Sequence, residues 1–151
     1  MIQFDSRKVK KGDTFVAIKG LTVDGRDYIK EAIKKAAIKV YSKGNTKQIL
    51  GELVSKYYKN PSSKLEIIGV TGTKGKTTTC HLIHHILASV GKKTGLISSI
   101  STEGFHTTTP DIITLNKILS KMVNENYEYV VLEVSSHGID QGRISGIKFD
   151  I

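Results

Sequence analysis

A run of glycine, lysine and threonine residues at positions 71–79 has the composition of a phosphate-binding loop. The apolar, β-branched residues 65–70 precede it and predict a strand buried on both faces. Apolar residues at helical spacing follow from Leu82 to Val90. The free N–H groups and the dipole at the start of such a helix favour an anion. We expect Lys76 to contact the outer phosphates of a nucleotide and the Thr77 hydroxyl to bind magnesium.

This loop departs from the common phosphate-binding pattern at one position. The pattern GxxxxGK[ST] requires glycine at position 70, where this chain has Val70. The loop therefore fits a variant class, T-G-T-x-G-K-T. The alternative is a glycine-rich turn between strand and helix that binds nothing. The order of strand, glycines, lysine, threonine and helix favours the phosphate site.

A second buried strand is predicted at residues 129–133, and it ends in Glu133. The alternation of strands and helices predicts an open parallel sheet, with ligands at the carboxyl ends of its strands. At such an end a P-loop protein places the acid that holds magnesium; the alternative is an acid that faces water. The polar loop at 134–143 follows directly, and loops on a rigid sheet are where binding groups collect.

The residues before the phosphate loop predict a smaller α/β region. Short strands are expected at 2–5 and 14–18, joined by a turn at 10–13. Amphipathic helices are expected at about 26–39 and 46–58, with a brief strand at 40–41 between them. The Asn-Pro-Ser-Ser sequence at 60–63 breaks this pattern. We therefore predict an α/β protein with an N-terminal domain at 1–63 and the first part of a P-loop-type parallel-sheet ATPase domain at 64–151.

Three further elements are predicted in the second domain. A strand is expected at 94–98, and a helix begins near Pro110 with Thr109 as its cap. Residues 148–151 have the pattern of a chain entering another buried strand. Because so few strands leave open sheet edges, we expect residues 1–151 to be the front part of a longer protein.

Composition limits the classes of protein. The single Cys80 excludes a disulfide framework and fits a reducing compartment. No apolar run approaches the ~20 residues of a membrane span, so we expect a cytoplasmic protein without a membrane partner. We also expect a monomer. The net charge of +9 is scattered among acidic residues and forms no basic stripe with aromatics. We therefore expect no nucleic-acid partner, but a surface that suits anionic ligands.

One group of residues has the spacing of a zinc site: Cys80, His81, His84 and His85. These residues follow the phosphate loop on a helix whose apolar face is defined by other positions. Solvated or half-packed histidines are the preferred interpretation.

Six motifs together resemble the Mur ligase family, in the order that the family shows. They are Asp5-Ser6-Arg7, residues 12–17, Asp24-Gly25-Arg26, residues 71–79, residues 107–110 and residues 133–138. The resemblance spans almost the whole chain. The Glu-Val-Ser-Ser-His-Gly run at 133–138 is the most diagnostic of the UDP-N-acetylmuramoyl-tripeptide synthetase branch. The phosphate loop alone is shared with other muramoyl-peptide ligases and with folylpolyglutamate synthases.

The resemblance implies an ATP- and Mg²⁺-dependent ligase that forms an amide bond through an acyl phosphate. Its substrates would be UDP-MurNAc-L-Ala-D-Glu and the third amino acid of the peptidoglycan stem. The implied ATP-binding residues are Gly72, Thr73, Lys74, Gly75, Lys76, Thr77 and Thr78, with Thr77 and Glu133 at the metal. The implied substrate-binding residues are Ser6, Leu21, Thr22 and Val23 for the uridine nucleotide, and Thr107, Thr108, Thr109, Ser135, Gln141 and Arg143 for the muramoyl peptide.

The chain departs from the family in three ways. Family members often have more polar residues at Leu21-Thr22, and residues 42–47 are a compressed version of a longer segment. The family's histidine-containing metal motif, carbamylated lysine and C-terminal amino-acid-binding domain have no counterpart in this sequence. We therefore expect no catalytic residue here, and binding without ligation by residues 1–151 alone. A P-loop kinase or nucleotide switch and a non-catalytic nucleotide-binding module remain the alternatives.

Overall fold

A computed structural model describes residues 1–20, 22–100 and 108–151 of the chain. In this part of the chain the strands form two parallel sheets of three strands each, with helices packed on them. The predicted mixed α/β class with parallel sheets is confirmed.

The first sheet contains β1 (Ile2–Gln3), β2 (Thr14–Val16) and β3 (Lys39–Tyr41), in that spatial order. The predicted turn at 10–13 does lie between β1 and β2. These two strands nevertheless pair in parallel, because a 3-10 helix at Ser6–Lys8 first carries the chain back to the start of the sheet.

The first predicted helix is shorter than the pattern at 26–39 indicated. A 3-10 helix at Gly25–Tyr28 leads into α1, which covers only Ile29–Lys34. Ala36 has a left-handed backbone with φ of 60°, and its carbonyl accepts from the Gly12 N–H at 3.0 Å. This ends the helix and turns the chain into β3.

The second predicted helix is present as α2, at Thr46–Tyr57. Its Leu50 and Val54 are buried against Val16 of the first sheet and Ile112 of the second half of the chain. One apolar cluster therefore joins the two halves, and the 3-10 helix at Pro61–Lys64 connects them near the predicted boundary at residue 63.

The second sheet contains β4 (Glu66–Val70), β5 (Thr94–Ile97) and β6 (Tyr129–Glu133), in the spatial order β4-β6-β5. Its helices are α3 (Lys76–Ser89), α4 (Ile112–Asn124) and the short α5 (Ser136–Asp140). Because β6 is the central strand and Val70 pairs with Glu133, the ends of β4 and β6 lie side by side.

The predicted cap of α4 is wrong. Asp111, not Thr109, precedes the helix, and its Oδ1 accepts from the N–H groups of Ile113 at 3.0 Å and Thr114 at 3.1 Å. A carboxylate that accepts two free amides at the positive end of a helix is a stronger cap than a hydroxyl.

Residues 148–151 lie beside β4 on the edge opposite β6. The Asp150 N–H donates to the Ile67 carbonyl at 2.9 Å, and the Gly69 N–H donates to the Ile151 carbonyl at 2.8 Å. These bonds attach residues 148–151 to the edge of the sheet, but the residues form no assigned strand and Ile151 is 80% exposed, unlike the buried strand that the sequence indicated. Across the described ranges, no helix has the length and apolar content needed to cross a membrane.

Candidate functional site

The loop between β4 and α3 leaves the start of a long helix open to solvent. Gly75 precedes the first helical residue with φ of 78°, a left-handed conformation that glycine adopts without steric cost. Residues 71–75 are exposed. The positive end of the α3 dipole is therefore accessible to an anion.

The Lys76 side chain folds back over this loop. Its Nζ donates a hydrogen bond to the carbonyl of Gly72 at 3.0 Å. The ammonium group therefore lies above the same loop whose backbone leads into the helix. Backbone dipole and side-chain charge both favour a phosphate there.

The predicted metal pair, Thr77 and Glu133, is brought together. Glu133 is only 2% exposed at the end of β6. The Thr77 Oγ1 lies 3.0 Å from each of its carboxylate oxygens. The strand register, which sets Glu133 opposite Val70, is what places the acid next to the loop.

Ser99 also contacts this carboxylate, and the sequence analysis missed it. Its backbone N–H donates to Glu133 Oε2 at 3.1 Å, and its hydroxyl donates to the same oxygen at 3.2 Å. A signal was available, since Ser99 directly follows the predicted strand at 94–98. The strand-end argument that selected Glu133 applies to this position too.

The Glu133 carboxylate is stabilised by neutral donors. Among the ion pairs of the described residues, none includes Glu133.

The same part of the chain holds no group of three or more His, Cys, Asp or Glu side chains arranged for a metal. Magnesium does not need one, because it binds through one or two protein oxygens, several waters and substrate phosphates. The Glu133 carboxylate and the Thr77 hydroxyl are oxygen ligands that suit magnesium.

Thr109 and Ser135 lie directly behind Glu133. The fully buried Thr109 hydroxyl donates to the Glu133 carbonyl at 3.1 Å and accepts from the Ser135 N–H at 3.0 Å. The Ser135 hydroxyl in turn accepts from the Gly138 N–H at 3.0 Å and caps α5. These two predicted substrate residues thus fix the backbone that carries the acid and the next loop.

Arg143 extends the same network into a cavity. Its Nε and Nη2 donate to Gln141 Oε1 at 2.9 and 2.7 Å, and its Nη1 donates to the Thr109 carbonyl at 2.5 Å. Arg143, Gln141 and Thr22 line a cavity of about 690 Å³ between the two halves of the chain. The guanidinium, with its five donors in one plane, suits a carboxylate or a phosphate.

Ser6 and Val23 line a neighbouring cavity of about 430 Å³ in the N-terminal half. The Ser6 hydroxyl donates to Glu31 Oε2 at 2.8 Å. Thr108 is half-buried just before Thr109. The predicted substrate residues Leu21 and Thr107 lie outside the described residues.

Two histidine residues of α3 have separate partners, and the cysteine of this helix is buried. His84 Nε2 lies 3.1 Å from the Thr94 carbonyl, and His81 Nε2 lies 3.4 Å from the Ser98 hydroxyl. Cys80 is fully buried, and this burial, followed by the charge of Glu133, raises its pKa to about 11. Such a thiol is protonated at neutral pH and is a poor metal ligand.

Two family models match the chain. The model described as "Mur ligase family, catalytic domain" matches residues 1–66, and the model described as "Mur ligase middle domain" matches residues 70–151.

Curated relatives have the same name in several bacteria. The chain is 44% identical to a protein of Phocaeicola vulgatus and 43% identical to one of Parabacteroides distasonis, over 98% and 99% of its own length. It is 40% identical to a protein of Bacillus licheniformis over 99% of its length. All three are named UDP-N-acetylmuramoyl-L-alanyl-D-glutamate--2,6-diaminopimelate ligase. The chain spans about a third of their length, at 34–35%.

Solved structures share the fold. One of a ligase with that same name superposes with a TM-score of 0.77 and 27% identity, covering 96% of this chain and 34% of its own. The MurF ligase of Thermotoga maritima in complex with ADP superposes with a TM-score of 0.50 and 22% identity, covering 89% of this chain and 32% of its own, and it supports the fold alone. With a middle-domain match over residues 70–151 and a catalytic-domain match over residues 1–66, this chain belongs to the Mur ligase family.

Proposed function

We propose that the chain is the N-terminal part of an ATP-dependent ligase that adds the third amino acid to UDP-MurNAc-L-Ala-D-Glu. The relatives named above supply the reaction, and 2,6-diaminopimelate in their names supplies the amino acid. The observation that carries the proposal is the Thr77–Glu133 pair, in which Thr77 follows the phosphate loop and Glu133 is linked to Arg143 through Thr109.

In this proposal residues 72–78 hold the phosphates of ATP. Mur ligases are ATP-dependent, and the exposed loop offers helix-start amides and the Lys76 ammonium group. One ammonium–phosphate contact at ~4 Å is worth on the order of 4 kcal/mol at an effective dielectric of ~20. Thr77 and Glu133 would hold Mg²⁺, which neutralises phosphate charge when bound.

The muramoyl peptide would occupy the cavity between the halves. Arg143 presents its planar donors there beside Gln141 and Thr22, and a carboxylate or diphosphate is the matching chemistry. The uridine nucleotide would occupy the neighbouring cavity with Ser6 and Val23. On this assignment residues 1–63 form a UDP-precursor domain, and residues 64–151 begin the ATP domain.

The residues of this chain would bind and orient ATP and the substrate, and they would not exchange protons with them. A substrate carboxylate oxygen would attack the γ-phosphorus, and ADP would leave. An amino group would then attack the acyl carbon, phosphate would leave, and the nitrogen would lose its proton to solvent. Positioning and charge neutralisation are most of what phosphoryl transfer requires. We expect residues 1–151 alone to bind ligands without forming the amide, and to act in the cytoplasm as a monomer. Full amide-forming turnover by these residues alone would refute this.

Calorimetric titrations with three ligands test the proposal. They are a non-hydrolysable ATP analogue with Mg²⁺, UDP-MurNAc-L-Ala-D-Glu and a short DNA duplex. The proposal expects the first two to bind independently, because the phosphate loop and the cavities are lined by different residues, and the DNA not to bind. Binding of the ATP analogue without the UDP precursor would instead support a P-loop kinase or nucleotide switch.

A further inference from the structure

The Ser6 hydroxyl is held by a carboxylate of α1. Ser6 lines the cavity of about 430 Å³ and is itself 5% exposed. Its Oγ donates to Glu31 Oε2 at 2.8 Å, from 25 positions away in the chain. Because a hydroxyl has a single proton, this bond fixes the direction in which the Ser6 hydroxyl points.

Lys35 completes the arrangement just beyond the end of α1. Its Nζ donates to Glu31 Oε1 at 2.9 Å, to the Ser6 carbonyl at 3.0 Å and to the Arg7 carbonyl at 3.2 Å. An ammonium group has three donors, so each of them has a partner here. The two oxygens of Glu31 are likewise divided between Lys35 and Ser6.

The bonds of this ion pair go beyond what a helix requires. Glu31 and Lys35 are four positions apart, and such a pair near the surface contributes little to the stability of a helix. The bonds to Ser6 and Arg7 instead tie α1 to the 3-10 helix at Ser6–Lys8. The pKa of the Glu31 carboxyl is lowered by the hydrogen bond from Lys35 and then by that from Ser6, so it is charged at neutral pH.

We propose that Glu31 and Lys35 are positioning residues for Ser6 at the nucleotide cavity. Glu31 fixes the direction of the Ser6 hydroxyl, and Lys35 fixes the backbone that carries it. The inference rests on the proposed function, because it takes Ser6 to contact the uridine nucleotide. It goes beyond that function in giving a role to two residues that lie outside the six sequence motifs and, among the described residues, outside the lining of the cavity.

Calorimetric affinities for UDP-MurNAc-L-Ala-D-Glu test the role of Glu31. For Glu31→Ala we expect a loss of about 10-fold, which is the order of one hydrogen bond to a charged group. Glu31→Gln keeps an oxygen that accepts the Ser6 proton, and its affinity should stay within about threefold of the unmodified protein. The affinity for a non-hydrolysable ATP analogue should not change, and this second ligand shows that each variant is folded.

Lys35 has a matched control in its exposed neighbour Lys34. Lys35→Met keeps an apolar stem and removes the three donors, so we expect a loss of affinity for the UDP precursor of about 10-fold. Lys34→Met removes the same charge from the same helix. It should stay within about twofold of the unmodified protein, as surface substitutions do.

Reversing the ion pair separates positioning from helix stabilisation. A protein with both Glu31→Lys and Lys35→Glu keeps opposite charges at the same spacing. It has no acceptor at position 31 for the Ser6 proton and no donor at position 35 for the two carbonyls. We expect it to bind the UDP precursor as weakly as Glu31→Ala does. Affinity restored by the reversal would overturn the inference, because the pair would then serve the helix alone.

Ser6→Ala shows whether Glu31 acts through Ser6. Adding Glu31→Ala to Ser6→Ala should cause no further loss of affinity, because the two residues act as one unit. An additional loss of about 10-fold would overturn the inference, since Glu31 would then act by another route.

The inference and the proposed function fail in different ways. Unchanged affinity for the UDP precursor in both Glu31→Ala and Lys35→Met overturns the inference and leaves the proposed function standing. If the unmodified protein does not bind the UDP precursor, the proposed function itself fails. Glu31→Leu, which has a similar length and no acceptor, should reproduce the alanine result if Glu31→Ala does not fold.

Discussion

At the scale of single residues, the burial of Glu133 is the clearest sign of chemistry. A carboxylate that is 2% exposed is costly unless its charge is compensated. Among the described residues, its donors are the hydroxyls of Thr77 and Ser99 and the Ser99 backbone N–H, all of them neutral. A site of this kind gains most when a cation arrives, which is the role that we propose for it.

The raised pKa of Cys80 predicts how the stability of the folded chain depends on pH. Its pKa is raised from 9.0 to about 11 by burial and then by Glu133. The thiol stays neutral in the folded chain at pH values where the unfolded chain already ionises. Its contribution to stability is therefore fully present below pH 9.0 and is lost as the pH rises towards about 11.

The measurement is alkylation by iodoacetamide at pH 8, followed by mass spectrometry. We expect Cys80 to react slowly in the folded protein, because it is buried and protonated, and rapidly in urea. Equal rates in both conditions would mean that the thiol is accessible and that the packing behind the loop is wrong.

The sequence was informative about residues whose role depends on spacing along the chain. Lys76, Thr77 and Glu133 follow from a loop motif and from the end of a buried strand. Ser99 also follows a predicted strand, but a sequence does not show which of the hydroxyls at such an end reaches the acid. The sequence predicted Thr109 as the cap of α4, because Thr-Pro is typical of a helix start. In the structure Asp111 caps the helix, and Thr109 bonds the Glu133 carbonyl instead.

At the scale of elements, α2 packs tightly against the turn at residues 142–146. A Cβ atom on Gly51 would lie 2.2 Å from the Ser145 carbonyl oxygen. Lys47, one turn earlier, donates from Nζ to the Asp140 carbonyl at 2.5 Å. Both elements also line the cavity that we assign to the muramoyl peptide, so their packing sets its width.

Gly51→Ala tests this packing. At an exposed helix position, replacing glycine by alanine would raise the free energy of unfolding by about 1 kcal/mol, because alanine is the better helix former. Here the added methyl group meets backbone that must shift, so we expect a destabilisation of about 1–3 kcal/mol. Urea unfolding measures it.

The control for this variant is Lys56→Ala, at an exposed position of the same helix. It should change the free energy of unfolding by less than about 0.5 kcal/mol. A stabilised Gly51→Ala protein would show that α2 and the turn do not meet as described.

Elements with strong periodicity were predicted well, and those that depend on distant hydrogen bonds were not. The helix α2 occupies the range that its apolar spacing indicated. The helix α1 stops early because Ala36 turns left-handed, to bond Gly12 and to let the Ile38 N–H reach the Asp13 carbonyl at 2.9 Å. No local pattern at 26–39 contains that information.

At the scale of the whole molecule, the two halves share a core as well as a cavity. Val16, Leu50 and Val54 of the first half are buried with Ile112 of the second. The proposed ATP site and the cavities that we assign to the UDP precursor therefore belong to one packed unit, with Arg143 and Thr109 linking one cavity to the backbone of Glu133. These contacts join residues far apart in the chain, which is why composition and periodicity could not predict them.

The central claim is that the loop at 71–79 binds the phosphates of ATP beside a separate site for the UDP precursor. Lys76→Ala tests it most directly, with calorimetric affinities for a non-hydrolysable ATP analogue and for UDP-MurNAc-L-Ala-D-Glu measured on the same protein. Lys56→Ala is the control for the loss of one positive charge. We predict that Lys76→Ala lowers the affinity for the ATP analogue about 100-fold or more and leaves the affinity for the UDP precursor unchanged. A folded Lys76→Ala protein that binds the ATP analogue as tightly as the unmodified protein would contradict the claim.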